Sequence, residues 1–155
     1  MSSTTNRTMR IGLDTNVLFY AEGLNGEVKQ RAILDILTAL PQDRIVVPVQ
    51  CLGEFFHALV RKGGYSRREA QLAVMAVQDS TAVADTTAEV LLAAADLAAQ
   101  HQFTIWDSVV MAAASRAGCR LLLSEDLQDG FTWSGLTIAN PLAAKIHPLL
   151  ESLLH

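Results

Sequence analysis

The sequence predicts an α/β domain with a largely parallel central sheet flanked by helices. Three observations carry this reading. Short apolar runs alternate with longer segments of helical period, the pattern of successive strand–helix units. The runs at residues 11–13 and 121–123 are too short for helices. Each then opens into polar and acidic residues, as a buried strand does where it leaves the sheet.

The 155 residues (16.8 kDa) make one ordinary domain, long enough to bury roughly 70% of the unfolded surface. Half are hydrophobic and only 6% aromatic, so the core is mostly Ala, Leu and Val. No apolar run approaches the ~18 residues of a membrane span. Residues 1–10 are polar and do not read as an export signal, so a cytoplasmic protein is expected. Cys51 and Cys119 are then expected as buried free thiols. A net charge of −4 argues against a broad duplex-binding surface, but leaves open nucleic acid held through metal ions.

Taken in order, Ile11-Gly12-Leu13 is the first strand and Asp14 stands at its end. Thr15 or Asn16 can cap a helix beginning near Val17. Residues 27–40 carry one buried helical stripe. Residues 44–47 form a second strand, and Pro48 suits the start of a helix over 49–62, stopped by Gly63-Gly64. In that helix Glu54 lies nearly opposite the stripe of Leu52, Phe55, Phe56, Leu59 and Val60, so periodicity makes it solvent-facing. Residues 67–78 are the next helix, and Arg61, Lys62, Arg67 and Arg68 give this hairpin a local basic patch. The patch is either a solvated loop or a phosphate contact for RNA.

Residues 81–84 suggest a third strand, and Thr87 caps a helix over 88–100. Thr104 and Asp107 resemble a capping box opening a helix over 108–117. Asp107 also stands among apolar neighbours, where an acid must pair or bind a cation. Residues 120–130, RLLLSEDLQDG, run from a strand into Glu125, Asp126 and Asp129. Open α/β sheets place ligands at such ends, although a solvated acidic turn has the same composition. Residues 131–135 read as a loop, 136–139 as the last strand, and 142–154 as a one-sided apolar tail kinked or broken at Pro148.

Carboxylates gathered at one sheet edge repel, so each needs a cation, a proton or water. All-oxygen ligand sets select Mg²⁺ or Mn²⁺, and such ions accept phosphate oxygens and activate water. No G-x-S-x-G or P-loop pattern is present.

The segments IGLDTNVLFY, PVQCLGEFFHAL, FTIWDSVVMAAASRAGCRLLLSEDLQDG and LTIANPL together resemble a PIN-domain ribonuclease of the VapC toxin type. The resemblance implies a PIN-like three-layer fold over residues 9–142, with residues 143–155 a helical tail packed on the same domain. The family's four acids fall on Asp14, Glu54, Asp107 and Asp126, implied to be catalytic and to hold Mg²⁺ or Mn²⁺. Thr15, Asn16 and Ser124 would support them, and Asp129 matches a position acidic in some members. The implied activity is endonucleolytic cleavage of RNA by a homodimeric toxin held in check by a cognate antitoxin protein. Two rivals stay open: a catalytically silent PIN-like module binding RNA or protein, and a phosphotransfer α/β domain. The second is disfavoured because Asp14-Thr15-Asn16 lacks a D-x-D.

Overall fold

The computed structural model describes residues 9–155, so the first eight residues of the polar N-terminal segment lie outside it. The described residues form a six-stranded sheet in the order β3-β2-β1-β4-β6-β5. Its strands are β1 (Arg10–Leu13), β2 (Ile45–Pro48), β3 (Ala82–Ala84), β4 (Cys119–Leu123), β5 (Thr132–Trp133) and β6 (Leu136–Ala139). All neighbours pair in parallel except β5 with β6. Both sheet edges are strands of two or three residues, too short to template pairing with another chain.

The helices are α1 (Thr15–Ala21), α2 (Glu27–Ala39), α3 (Val49–Arg61), α4 (Arg67–Ser80), α5 (Ala88–Gln100), α6 (Ile105–Arg116) and the short α7 (Pro148–Glu151). Helices α1 to α4 pack on one another, and α5 packs on α6. Right-handed crossovers put these two groups on opposite faces of the sheet. Helix α6 is the more deeply buried: every residue from Ser108 to Ala114 is enclosed. Its alanines permit that close approach. So does Gly12 on β1, where an added Cβ would stand 3.1 Å from Leu122 Cδ1 and 3.4 Å from Ala114 Cβ. No described helix is long and apolar enough to cross a membrane. Cys51 and Cys119 are both buried and free, as expected.

Two local expectations change, and one local signal went unread. Residues 131–135 are not a plain loop: β5 turns back onto β6 through Ser134 and Gly135, whose φ angles are 49° and 81°. Two positive φ values are what a tight hairpin needs, and the Ser-Gly dipeptide was its signal. Pro148 does not kink a tail helix; it starts one, because its missing N–H costs nothing in the first turn. Helix α7 is the one helix after Leu142, and its Leu150 is fully buried. The hairpin helix α4 opens with a complete capping box between Ser66 and Glu69, unread in the sequence.

Leu122 lies in the central strand β4 and is fully buried. Leu122→Ala should cost about 2–5 kcal/mol, by lost transfer energy and the cavity left behind. Leu92, on α5, is 72% exposed, and Leu92→Ala should shift stability by no more than about 0.5 kcal/mol. Denaturant melts of the two variants check this contrast; equal losses would contradict the assigned core.

Candidate active site

Strands β1 and β4 lie side by side in register, Leu13 opposite Leu123. The chain builds outward from β1 to β2 and β3 on one side, then returns to place β4 on the other. In open α/β sheets, ligands bind outside the carboxyl ends of the strands at such a reversal. Asp14 and Ser124 are the first residues beyond β1 and β4. Their backbones are clamped there: Asp14 N donates to Leu123 O (3.0 Å) and Ser124 N to Ala139 O (3.1 Å).

Ser124 is fully buried. Its Oγ donates to Asp14 Oδ2 (2.8 Å) and accepts from the backbone N–H groups of Asp126 and Leu127, each at 3.2 Å. One hydroxyl thus joins the first acid to the loop carrying the last. Asn16 makes the same bridge more loosely. Its Nδ2 lies 3.3 Å from Asp14 Oδ2, 3.3 Å from Ser124 Oγ and 3.4 Å from Asp126 Oδ2, while its Oδ1 accepts from Glu125 N (3.0 Å). An amide has two N–H groups, so these three acceptors share two hydrogens.

The helix cap is Asp14 itself, not Thr15 or Asn16. Its Oδ1 accepts from Thr15 N (2.8 Å), and α1 begins at Thr15, two residues before the expected start. That frees the Thr15 hydroxyl to donate to Glu54 Oε2 (2.9 Å), while Gln50 Nε2 donates to Glu54 Oε1 (3.0 Å). Glu54 does lie opposite the buried Leu52, Phe55 and Leu59 of α3, as periodicity requires. It is half-buried rather than fully exposed, because α1 packs beside that face. Cys51, one helical turn earlier, points its Sγ at Asp14 Oδ1 (3.6 Å).

Asp14 is only 8% exposed. Burial raises its pKa; hydrogen bonds from Ser124 and Thr15 oppose the rise, and the charges of Glu54 and Asp107 add to it. Asp107, in the first turn of α6, is also raised chiefly by burial, against a Thr104 hydrogen bond and with Glu54 and Asp126 adding to the rise. Like-charge repulsion, expected from the sequence to lead, is therefore second to desolvation. Asp14 and Asp107 still sense the charges of neighbouring acids, Glu54 on α3 in both cases. Thr104 caps α6 by accepting from Asp107 N (3.1 Å), so Asp107 both begins a helix and joins the acids.

A second cluster supports the loop. Tyr20 OH donates to Glu125 Oε1, Lys29 Nζ lies 3.1 Å from the same oxygen, and Lys29 sits 4.6 Å from the centre of the Tyr20 ring. These contacts tie α1 and α2 to the residue before Asp126. Nothing in the sequence periodicity marked Tyr20, Lys29, Gln50 or Cys51 for the site; only the i, i+4 spacing of Gln50 and Glu54 was readable. Asp129 instead accepts from Asn140 N (2.8 Å), anchoring the chain beyond β6. Of the four basic residues, Arg61 and Lys62 line the groove that also holds Glu54 and Asp126. Arg67 and Arg68 begin α4, and Arg68 donates to Gln71 Oε1 (2.8 Å).

The donor set bears on a cation in two ways. Among the described residues no three His, Cys, Asp or Glu side chains converge as a closed cage. Yet a buried carboxylate within electrostatic reach of further acids, all hard oxygen donors, suits an ion that takes few protein ligands and keeps its waters, as Mg²⁺ does.

A family model described as PIN domain matches residues 11–129. The chain belongs to the PIN-domain family. Solved structures share this PIN fold at low identity. The sarcin–ricin-loop-cleaving toxin VapC20 of Mycobacterium tuberculosis is 19% identical, with a TM-score of 0.61 over 72% of this chain and 86% of that one. A toxin–antitoxin complex from Klebsiella pneumoniae is 16% identical, with a TM-score of 0.65 over 84% and 97%. VapBC-1 of nontypeable Haemophilus influenzae is 15% identical, with a TM-score of 0.64 over 87% and 100%. No curated protein matches the chain.

The raised carboxyls make a pH prediction for the metal-free PIN domain. A folded pKa above the ordinary 3.8 means the folded state holds a proton the unfolded chain has released. The contribution of Asp14 and Asp107 is therefore full below 3.8 and is lost as pH rises through their folded values. Glu69 and Glu125, lowered chiefly by bonds with Ser66 and Tyr20, pull the opposite way. Comparison with Asp107→Asn isolates one group. The variant's stability relative to wild type should climb with pH across this acidic range. A flat or falling difference in urea melts would contradict the shift.

Proposed function

We propose that this chain is a metal-dependent endoribonuclease, the toxin of a toxin–antitoxin pair. The observation that carries the reading is Asp14: a nearly buried carboxylate at the switch point of the sheet, within electrostatic reach of Glu54 and Asp107 and joined to Asp126 through Asn16. Asp14 and Asp107 would be the principal holders of Mg²⁺ or Mn²⁺, with Glu54 and Asp126 completing the set directly or through water. An ion held there would supply positive charge against the phosphate and a water activated for in-line attack on the RNA phosphodiester.

The chain's own residues do the rest. Ser124 and Thr15 N–H hold Asp14 in one orientation, and the Thr15 hydroxyl and Gln50 hold Glu54. Positioning of this kind is what electrostatic stabilisation of a transition state requires, because fixed charges need no reorganisation during reaction. The Klebsiella neighbour is a toxin–antitoxin complex, which supports an antitoxin partner for this chain; a cytoplasmic location is part of the same proposal. A homodimer is proposed as well; Leu72 and Met75 on α4, and separately Leu91 and Leu92 on α5, are exposed apolar residues that such a contact could cover.

One observation favours a second reading, a catalytically silent PIN module that binds RNA or protein. Both oxygens of Asp14 already accept hydrogen bonds from the chain. Cleavage of single-stranded RNA with Mn²⁺ and with EDTA separates the two. The nuclease reading expects cleavage with Mn²⁺ alone. It expects Asp14→Asn and Asp107→Asn, folded by circular dichroism, to lose about a hundredfold or more, the scale of a lost charge-stabilising group. Cleavage undiminished in EDTA refutes the metal; no cleavage under either condition favours the silent module.

A further inference from the structure

The acids occupy one end of a longer groove. It holds about 1240 Å³ and is open to solvent, larger than the ~300–1,000 Å³ of pockets that enclose a small ligand. One wall is α1 and the other is the polar face of α3, where Glu54, His57 and Arg61 follow one another at helical spacing. Charge reverses along that wall. Glu54 and Asp126 mark the acidic end; Arg61 and Lys62, about 10 Å further at 1.5 Å per residue, mark the basic end. At the acidic end, one residue before Glu54 on α3, lies Gly53, where an added Cβ would meet nothing within 4 Å, so the groove has free depth at this point. Phe19 on α1 and His57 on α3 line the same space, and such rings are surfaces on which bases stack.

We infer that this groove is a track for single-stranded RNA, running along α3 from the acids to Arg61 and Lys62. Backbone phosphates meet Arg61 and Lys62, and bases lie against Phe19 and His57. Arg67 and Arg68 stand outside the track. The inference rests on the nuclease reading for what happens at the acidic end, where a cation must come between carboxylates and phosphate. An RNA strand fits the groove better than a protein segment does. Its charge is of one sign throughout, matching the paired cations at one end and a cation-bridged phosphate at the other, while its bases match the rings between.

The test is binding rather than cleavage. Fluorescence anisotropy of a labelled single-stranded oligoribonucleotide, kept in EDTA, is followed at several salt concentrations. Two double variants each remove two positive charges, Arg61→Gln with Lys62→Gln and Arg67→Gln with Arg68→Gln, so net charge alone cannot separate them. The first pair should lower the salt slope by about 1.4, at about 0.7 per phosphate contact on a single strand. The second should leave the slope unchanged. Gly53→Leu alters no charge and fills the groove. It should weaken binding while the melting temperature holds or rises, because leucine outranks glycine inside a helix. Equal slopes for the two pairs, unaltered binding by Gly53→Leu, or a parent chain that neither binds RNA in EDTA nor binds or cleaves it with Mn²⁺ would each overturn the inference. The last two outcomes would leave the groove to a protein partner. Cleavage by the parent chain with Mn²⁺ is scored separately, so a chain that binds along this track without cutting refutes the nuclease reading alone.

Discussion

The hydrogen bond from Ser124 to Asp14 is the contact on which the rest of the site depends. It joins the ends of the two central strands at a point from which water is nearly excluded. A carboxylate buried this deeply is costly unless its oxygens are satisfied, and the fold satisfies them with donors from three directions: the start of α1, the end of β4 and the side of α3. Each donor is also a structural fastener. Thr15 N begins a helix, and Ser124 Oγ turns the acid loop by accepting two backbone N–H groups. The residues that make Asp14 tolerable also position its neighbours: Ser124 Oγ accepts from Asp126 N, and the Thr15 hydroxyl donates to Glu54.

This arrangement leaves the charge balance unfinished. The hydrogen bonds at Asp14 and Asp107 oppose the rise in pKa without cancelling it. A site that raises its own carboxyl pKa values favours whatever neutralises them, a proton at low pH or a cation at neutral pH. Groups with perturbed pKa values in a cleft are where chemistry is most often found. Here the cleft continues along α3 into positive charge, so the site is asymmetric along one direction of the molecule.

Much of the fold was legible because strands and helices differ in length and period. The runs 11–13 and 121–123 were short and fully apolar, and both proved to be central parallel strands. The four acids could be named from the ordered motifs, and Asp14 and Asp126 also from their places after strands. Glu54 was the instructive case. Periodicity placed it correctly opposite the core, but a helix wheel cannot tell open solvent from a groove walled by another helix. The Tyr20–Lys29–Glu125 cluster joins residues some hundred positions apart, so no local pattern could announce it. The β5–β6 hairpin was missed because two-residue strands carry too little alternation to detect.

The most direct test of the central claim, that Asp14 and the acids near it form a cation site, is the melting temperature of wild type and Asp107→Asn in EDTA and in Mn²⁺. A ligand that binds only the folded state raises its stability. Asp107→Asn should melt above wild type in EDTA, Mn²⁺ should raise the wild-type melting temperature, and the variant should gain less. Equal Mn²⁺ shifts in the two proteins, with Asp107→Asn neutral or destabilising in EDTA, would contradict that claim and leave Asp107 as a residue of the α6 helix start alone.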